Sequence, residues 1–429
     1  MRLPLAYTPP DLQESDPGPV RRRHVFFVPG YDPEARTRYR LLFVRELMRH
    51  AKRFGEGRRT VSAAALSPDG LVQGWNVAAH PPSGGAATRY EVLLWDDIVA
   101  RDYARSRVLS VALLVVGTLH ALAWGALWRF YRYNHRYGNV ILYPFAMVVA
   151  LTLVSVLIGT MVHAHLGDWF GYSLGLPAWA SLPLGVAAGL VWLVGIEAFL
   201  NRLFFWQLLN TWVFNWQHGQ LWRPDFEARV DAFADHVIAE IAGLQGEAPD
   251  EVMIVGHSVG ALAAVELAAR VLARAPALWE GRTRLSLVTL GSALPLVAVQ
   301  PLARRLRAEI ASLVTARRLV WCDFQTMQDW MNFPGFNPVL DLKLGLGARA
   351  VANPVVRSTQ LKQVVEPETY AKILYRPFRL HFQCLLANER PGDYDFFRLT
   401  LGPQHLRDRA LTPIVGPEPV AAAPEPRGG

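Results

Sequence analysis

The sequence is poor in lysine and in cysteine. Lysine occurs at only four positions (52, 343, 362 and 372), so arginine carries nearly all of the positive charge. The two cysteines, Cys322 and Cys384, are too few for a disulfide framework or a cysteine metal site. The formal net charge of +8 is spread along the chain, and no nucleic-acid-binding motif is present. We therefore expect no nucleic-acid partner and a basic surface that faces anionic lipid headgroups.

Three long segments lack charge almost completely. Residues 108–128 and 140–162 contain no Asp, Glu, Lys or Arg, and residues 178–200 contain only Glu197. Each is long enough to cross about 30 Å of hydrocarbon. Tryptophan and tyrosine side chains cluster around the segment ends, as in interfacial belts. We predict a membrane-embedded helical insertion over residues 107–216.

The distribution of arginine predicts how the insertion is oriented. The connector 163–177 has no Lys or Arg, whereas arginines flank the other segment ends. The positive-inside rule then makes the second and third segments a hairpin with this connector outside, and the first segment re-entrant or packed on the bundle. Residues 203–216 are predicted as an interfacial helix. The alternative is four crossings; both versions keep the soluble halves in the cytoplasm, at a bacterial inner membrane.

One Gly-x-Ser-x-Gly motif has the context of a nucleophile elbow. Ser258 lies between Gly256 and Gly260, directly after a β-branched run and directly before an alanine-rich helical segment. In such a turn the serine hydroxyl is exposed at the end of a strand, and the glycines allow close backbone approach. A second match, centred on Ser173, follows no strand, and Pro177 prevents a helix after it. Ser258 is therefore the predicted nucleophile.

Outside the insertion, strand and helix signals alternate, which predicts a parallel sheet with crossover helices. An early turn, Val28-Pro29-Gly30-Tyr31, follows the first strand, and Leu290-Gly291-Ser292 ends a later one. With the elbow, these motifs resemble an α/β-hydrolase of the serine lipase/esterase kind over residues 24–106 and 217–405. The fold class is thus predicted to be α/β, an α/β-hydrolase-like mostly parallel sheet interrupted by a hydrophobic helical membrane insertion.

The predicted parts are a flexible leader (1–23), the N-terminal half of the hydrolase domain (24–106), the insertion (107–216), the C-terminal half with the elbow (217–411) and a disordered tail (412–429).

The resemblance implies a triad in the order serine, acid, histidine. The acid of the family follows a strand after the elbow, which favours Asp329 and leaves Asp323, inside the strand, as the second choice. The base must come later still. His381, in a hydrophobic segment, is the preferred base, and His405 is the alternative.

The resemblance also implies an oxyanion hole. The two donors are the backbone N–H of Val259, after the nucleophile, and that of Tyr31, in the early turn. His257 is expected to be structural. The histidines of the insertion lack metal-ligand spacing, so neither a metal nor another cofactor is expected.

The expected function is that of a membrane-integral serine hydrolase that cleaves an acyl ester, preferably a lipid or lipophilic ester. Its expected partners are the bilayer and this substrate, while protein partners cannot be read from the sequence. The first alternative is a catalytically inactive hydrolase-fold scaffold or sensor at the membrane. A channel or transporter is the second alternative. It is poorly supported, because the apolar segments contain no paired charges.

Overall fold

The computed structural model describes residues 7–10, 12, 18–55, 59–79, 85–244 and 247–411. Most of the predicted leader and all of the predicted tail, residues 412–429, lie outside the described residues. The chain divides into two compact units. The first, here called the sheet unit, comprises Met1–Ala100, Arg132–Asn134 and Gly219–Gly429. The second, the helical unit, comprises Arg101–Tyr131 and His135–His218.

The sheet unit is built on a mostly parallel sheet. Its strands, in chain order, are β1 (Arg22–Val28), β2 (Arg59–Val61), β3 (Ala65–Leu66), β4 (Val72–Ala79), β5 (Ala87–Leu93), β6 (Glu251–His257), β7 (Arg284–Leu290), β8 (Leu319–Gln325) and β9 (Val355–Ser358). They lie in the order β2-β4-β5-β1-β6-β7-β8-β9, with β3 paired to β4. The predicted α/β architecture with a mostly parallel sheet is confirmed.

In the sequence, most strands are followed by one or more helices. In chain order they are α1 (Ala35–Phe54), α2 (Asp96–Tyr103), α3 (Arg107–Ala123), α4 (Ala126–Tyr133), α5 (His135–Trp169), α6 (Leu182–Gly195), α7 (Glu197–Arg202), α8 (Phe205–Gly219), α9 (Pro224–Gly243), α10 (Val259–Arg274), α11 (Leu294–Ala298), α12 (Arg304–Val314), α13 (Pro338–Asp341), α14 (Leu361–Val364), α15 (Pro367–Ile373), α16 (Pro377–His381), α17 (Phe396–Leu401) and α18 (Leu406–Leu411). Single turns of 3₁₀-helix form at Ala178–Ser181, Pro276–Trp279 and Phe382–Leu385, and a π-helical turn at Phe170–Leu174.

The parallel core strands were predictable because helices cover both of their faces. Every residue of β6 and β8 is buried, which gives the continuous apolar runs typical of parallel strands. The antiparallel strands β2, β3 and β4 and the short edge strand β9 were not predicted. Exposed and buried residues mix in β4, and β2 and β3 have only three and two residues, too few for a clear pattern.

Two helical stretches of the helical unit are long and apolar enough to cross a membrane, His135–Leu174 and Ala178–Arg202. Their most apolar windows have mean hydropathies of 2.5 and 1.8, and only 11% of each window is buried. The first predicted segment differs from them. Its helix, α3, reaches the required length only together with α2, from which it is bent by 102°.

Small residues bring α5 and α6 into close contact. Ser155 and Gly159 on α5 face Gly189 and Gly185 on α6, so each helix carries two small residues four positions apart. A Cβ on Gly185 would lie 2.5 Å from the Gly159 carbonyl oxygen, and Ser155 Oγ donates to the Gly189 carbonyl at 3.0 Å. This small-xxx-small packing is a common helix–helix interface in membranes, where the hydrophobic effect does not drive helices together.

The helix predicted to be interfacial, α8, packs against α3. In α8, Trp212 Nε1 donates to Thr118 Oγ1, and Trp216 Nε1 donates to His120 Nδ1, each at 3.2 Å. A Cβ on Gly117 would lie 2.8 Å from the Trp216 ring. These contacts satisfy the N–H groups of Trp212 and Trp216 inside the helical unit.

A buried ion pair joins the amino ends of β1 and β6. Arg23 Nε donates to Glu251 Oε2 at 2.7 Å, and both side chains have 0% exposure. The remaining guanidinium nitrogens donate to the carbonyls of Gly402 and Gln404. Glu251 Oε1 accepts from Ser286 Oγ at 2.6 Å. Buried charges persist only when they are paired and hydrogen-bonded in this way.

Replacing Glu251 by alanine is expected to lower the free energy of unfolding by about 3–5 kcal/mol, because the Arg23 charge would stay buried without its partner. Glu247→Ala is the matched control. Its carboxylate pairs with Arg22 at 3.7 Å but is 80% exposed, so a change within about 1 kcal/mol is expected. Denaturant unfolding of the full chain in detergent, followed by circular dichroism, measures both; equal effects would contradict the prediction.

Candidate active site

Ser258 occupies a strained turn between β6 and α10. Its backbone has φ 60° and ψ −123°, a region that residues with a side chain rarely adopt. Two hydrogen bonds to residues at and just after the end of β7 hold the turn. The Ser258 N–H donates to the Leu290 carbonyl at 2.9 Å, and the Ser258 carbonyl accepts from the Ala293 N–H at 3.1 Å. The structure therefore gives Ser258 the geometry expected of a nucleophile elbow.

The two flanking glycines are required by space. A Cβ on Gly256 would lie 2.3 Å from the Gly260 carbonyl oxygen, and one on Gly260 would lie 2.2 Å from the Val28 carbonyl oxygen. Gly30 is also close, since its Cβ would lie 3.3 Å from Ser258 Cβ. The early turn and the elbow thus meet at the carboxyl ends of β1 and β6.

Both predicted oxyanion-hole residues lie at this edge of the sheet. Val259 is the first residue of α10, where the backbone N–H groups have no acceptor within the helix. Tyr31 follows Gly30, and its buried ring lies edge-on to Trp95 at 5.8 Å between centroids. The Gly30 N–H donates to the Tyr39 hydroxyl at 3.2 Å, which anchors the early turn.

The structure brings Asp329 and His381 together. His381 Nδ1 lies 2.6 Å from Asp329 Oδ2, and the two side chains are 4% and 2% exposed. Asp329 Oδ1 accepts from the Met331 N–H at 2.9 Å, which holds the carboxylate in place. His381 Nε2, the other ring nitrogen, is buried and has no hydrogen-bond partner among the described residues. Ser258 Oγ is therefore not bonded to it in this structure.

Gly291 makes room for this histidine. It follows β7, has φ +53°, and a Cβ there would lie 3.1 Å from His381 Cε1. Since β7 is the neighbour of β6, His381 lies at the same edge of the sheet as Ser258. The Leu-Gly-Ser motif at the end of β7 therefore has a steric explanation.

The second-choice acid and base do not meet in the structure. Asp323 lies inside β8, where it accepts from Thr289 Oγ1 at 2.6 Å and from Gln325 Nε2 at 2.7 Å. Burial raises the pKa of Asp323 to about 6. His405 precedes Leu406, whose N–H donates to Glu251 Oε1 at the start of β6. His405 is thus one strand length, roughly 20 Å, from the Ser258 end of β6.

The contacts that two residues make with His381 were not predicted from the sequence. His257 Nε2 lies 3.2 Å from the His381 carbonyl oxygen and donates to it, and the two rings lie 4.7 Å apart. Burial and the neighbouring His381 both lower the pKa of His257, so its ring is neutral. The Cys384 thiol donates to the same carbonyl at 3.4 Å. His257 is therefore structural, as expected from its place beside the serine, and its partner is His381.

Asn134 contacts the acid loop. It belongs to the sheet unit, although the sequence placed it within the insertion. Its Nδ2 donates to the Asn332 carbonyl at 2.8 Å and approaches the Asp329 carbonyl at 3.4 Å. The preceding residue, Tyr133, stacks edge-on against Phe336 at 5.3 Å. The sequence offered no signal for these contacts, because nearly two hundred residues separate the partners.

Ser173 has a different environment. It lies on the π-helical turn Phe170–Leu174 of the helical unit, and it is exposed. No strand directly precedes Ser173, and its φ is not positive. The expectation that Pro177 prevents a helix after Ser173 was wrong, because helical structure begins again at Ala178, and proline is tolerated just before a helix. The two Gly-x-Ser-x-Gly matches thus have unrelated structures.

Gly260→Ala is expected to destabilise the fold by about 1–3 kcal/mol, because the alanine Cβ would collide with the end of β1. Gly243→Ala is the control. Gly243 ends α9 with nothing within 4 Å of a Cβ, and alanine there is expected to be neutral or to stabilise by about 0.5–1 kcal/mol. Denaturant midpoints of the two variants test this; a tolerated Gly260→Ala would mean that β1 and the elbow are farther apart.

Comparisons of the chain with protein-family models, curated proteins and solved structures found no match. The function is therefore inferred from the site itself. This site consists of a strained serine at the end of a central parallel strand, a buried Asp–His pair and two backbone donors at the same sheet edge.

Proposed function

We propose that the protein is a membrane-integral serine hydrolase that cleaves an acyl ester, with an α/β-hydrolase-like sheet unit. Ser258 is the nucleophile, His381 the base and Asp329 the acid. The observation that carries the proposal is the Asp329–His381 contact of 2.6 Å, which leaves His381 Nε2 buried and unpartnered at the sheet edge where Ser258 adopts φ 60°. Since the carboxylate occupies Nδ1, Nε2 is the ring nitrogen of His381 that can accept a proton.

The mechanism follows from the roles of these groups. His381 Nε2 takes the proton from Ser258 Oγ as the oxygen attacks the ester carbonyl, and Asp329 stabilises the imidazolium through Nδ1–H. The N–H groups of Val259 and Tyr31 donate to the oxyanion of the tetrahedral intermediate. The imidazolium then protonates the leaving alcohol, and a water molecule, activated by His381, hydrolyses the acyl–serine.

The apolar helices favour a lipid or lipophilic ester as the substrate. Large apolar side chains on α5 and α6 are exposed, including Leu153 at 66% and Val191 at 71%. An exposed apolar surface of this length is stable in a bilayer and not in water. A hydrolase anchored there meets substrates that partition into the membrane.

The sheet topology constrains how often the chain crosses. β1 precedes the insertion and β6 follows it, yet they pair in one sheet, so both lie on the same side of the membrane. An α5–α6 hairpin provides the required even number of crossings. Because arginines flank the hairpin's outer ends and the connector has none, the positive-inside rule orients the sheet unit toward the cytoplasm of a bacterial cell.

An inactive hydrolase-fold scaffold is the second candidate. It is favoured by the missing hydrogen bond between Ser258 Oγ and His381 Nε2. Such bonds are often long in ligand-free enzymes and tighten when substrate binds, so this observation weighs less than the intact Asp–His pair.

Labelling with a fluorophosphonate probe distinguishes the two candidates. The wild-type protein in detergent is expected to be labelled at one serine, and Ser258→Ala to lose the label. Ser173→Ala, the matched control from the other Gly-x-Ser-x-Gly motif, is expected to label like the wild type. A wild type that stays unlabelled in detergent and in reconstituted bilayers would overturn the hydrolase proposal in favour of the scaffold.

The two aspartates are expected to differ in their effect on ester hydrolysis. Asp329→Asn should reduce kcat by about 10⁴, because histidine would lose the partner that sets its tautomer. Asp323→Asn should leave kcat nearly unchanged, since Asp323 bonds only to Thr289 and Gln325 among the side chains described. Hydrolysis of p-nitrophenyl esters of different acyl lengths measures both; a larger loss in Asp323→Asn would reverse the assignment of the acid.

A further inference from the structure

Four potential metal ligands meet on the face of the sheet that α9 covers. His24 lies on β1 and Glu91 on the adjacent strand β5, while His236 and Glu240 lie one turn apart on α9. We call these four residues the His24 cluster. All of them belong to the sheet unit.

The ligand atoms of this cluster converge. One side-chain N or O atom from each of His24, Glu91 and Glu240 lies within 4.8 Å of the others. His236 Nε2 hydrogen-bonds to Glu91 Oε2 at 2.8 Å, so it orients this carboxylate. His24 and Glu91 are buried, whereas Glu240 is half-buried, so the cluster is accessible from the α9 side.

His24 Nε2 indicates a missing ligand. The side chain is 2% exposed, and Nε2 has no hydrogen-bond partner among the described residues. Its nearest carboxylate oxygen, Glu91 Oε1, is 3.6 Å away, which is too far for a hydrogen bond. Two atoms that each lie about 2.0–2.1 Å from a tetrahedral metal ion are about 3.4 Å apart. The separation therefore fits two ligands of one ion better than it fits a direct contact.

We propose that His24, Glu91 and Glu240 bind a divalent transition-metal ion of the zinc type. Imidazole nitrogen and carboxylate oxygen are donors that Zn²⁺ accepts, and three such ligands leave the fourth tetrahedral position to a water molecule. Hard ions such as Mg²⁺ and Ca²⁺ prefer all-oxygen ligands and fit this set poorly.

Arg89 also contacts this carboxylate. Its Nε donates to Glu91 Oε1 at 2.9 Å, and its side chain is 38% exposed. An ionised carboxylate has about four lone-pair sites, so Glu91 accepts from Arg89 and binds the ion at the same time. In this arrangement Arg89 holds Glu91 in place.

The ion would connect α9 to the centre of the sheet. His24 precedes Gly30 by six residues, so the cluster is roughly 20 Å along β1 from the turn beside Ser258. The metal thus lies away from the proposed catalytic residues and is independent of the proposed hydrolase function. No metal was expected from the sequence, because the ligands at positions 24, 91 and 240 form no spacing motif.

Zinc binding by the full-length, untagged protein in detergent tests the proposal. Protein stripped with EDTA is titrated with Zn²⁺, and the metal retained after dialysis is measured by mass spectrometry. We expect one Zn²⁺ per chain and a higher Tm in its presence. Glu240→Gln and His24→Gln are expected to weaken binding by about tenfold or more and to lose the Zn²⁺-dependent rise in Tm.

Asp235→Asn is the control, because Asp235 also lies on α9 but its side chain is 72% exposed and pairs with Arg274. It is expected to bind Zn²⁺ like the wild type. Glu240 is half-buried, so Glu240→Gln remains informative if His24→Gln does not fold. Wild-type protein that retains no stoichiometric Zn²⁺, or a Glu240→Gln variant that binds with wild-type affinity, would overturn the proposal.

Discussion

The parallel pairing of β1 with β6 connects two parts of the chain that are 228 residues apart in sequence. At its amino end, Arg23 and Glu251 form a buried ion pair. At its carboxyl end, Gly260 lies against the Val28 carbonyl, and Gly30 lies against Ser258. The close approach of Gly30 and Gly260 to the turn at Ser258 depends on this one register. A shift by a single residue would move every buried side chain of β1 to the opposite face.

The two edges of the sheet have different chemistry. Strain is concentrated at the carboxyl edge, where the Ser258 conformation costs about 1–3 kcal/mol and is maintained by the surrounding hydrogen bonds. There the Asp329–His381 pair is buried, and one ring nitrogen is unpartnered. At the amino edge, by contrast, the charges of Arg23 and Glu251 are fully paired. His24 Nε2, near the amino end of β1, also has no partner among the described residues. The combination with backbone strain is therefore what distinguishes the unpartnered nitrogen at the carboxyl edge.

The inserted segment supplies more than apolar helices. Arg132–Asn134 belong to the sheet unit, and Asn134 donates to the loop that carries Asp329. The hairpin of α5 and α6 begins directly after this contact, and it is held by small residues at Gly159 and Gly185. The insertion thus has two roles. Asn134 contacts the loop that carries Asp329, and the residues that follow it form the apolar hairpin.

The sequence by itself determined the features that depend on neighbouring residues. Continuous apolar runs identified β1, β6, β7 and β8, the charge-free segments identified α5 and α6, and the local context of Gly-x-Ser-x-Gly distinguished Ser258 from Ser173. These signals exist because backbone preference and burial are set within a few residues. Only the tertiary structure paired Asp329, rather than Asp323, with a histidine, and only it placed His405 at the far end of β6. It also revealed the packing of α8, the contact of Asn134 and the His24 cluster. Each of these joins residues that are distant in sequence, and chain packing, which no local pattern encodes, decides which distant residues meet.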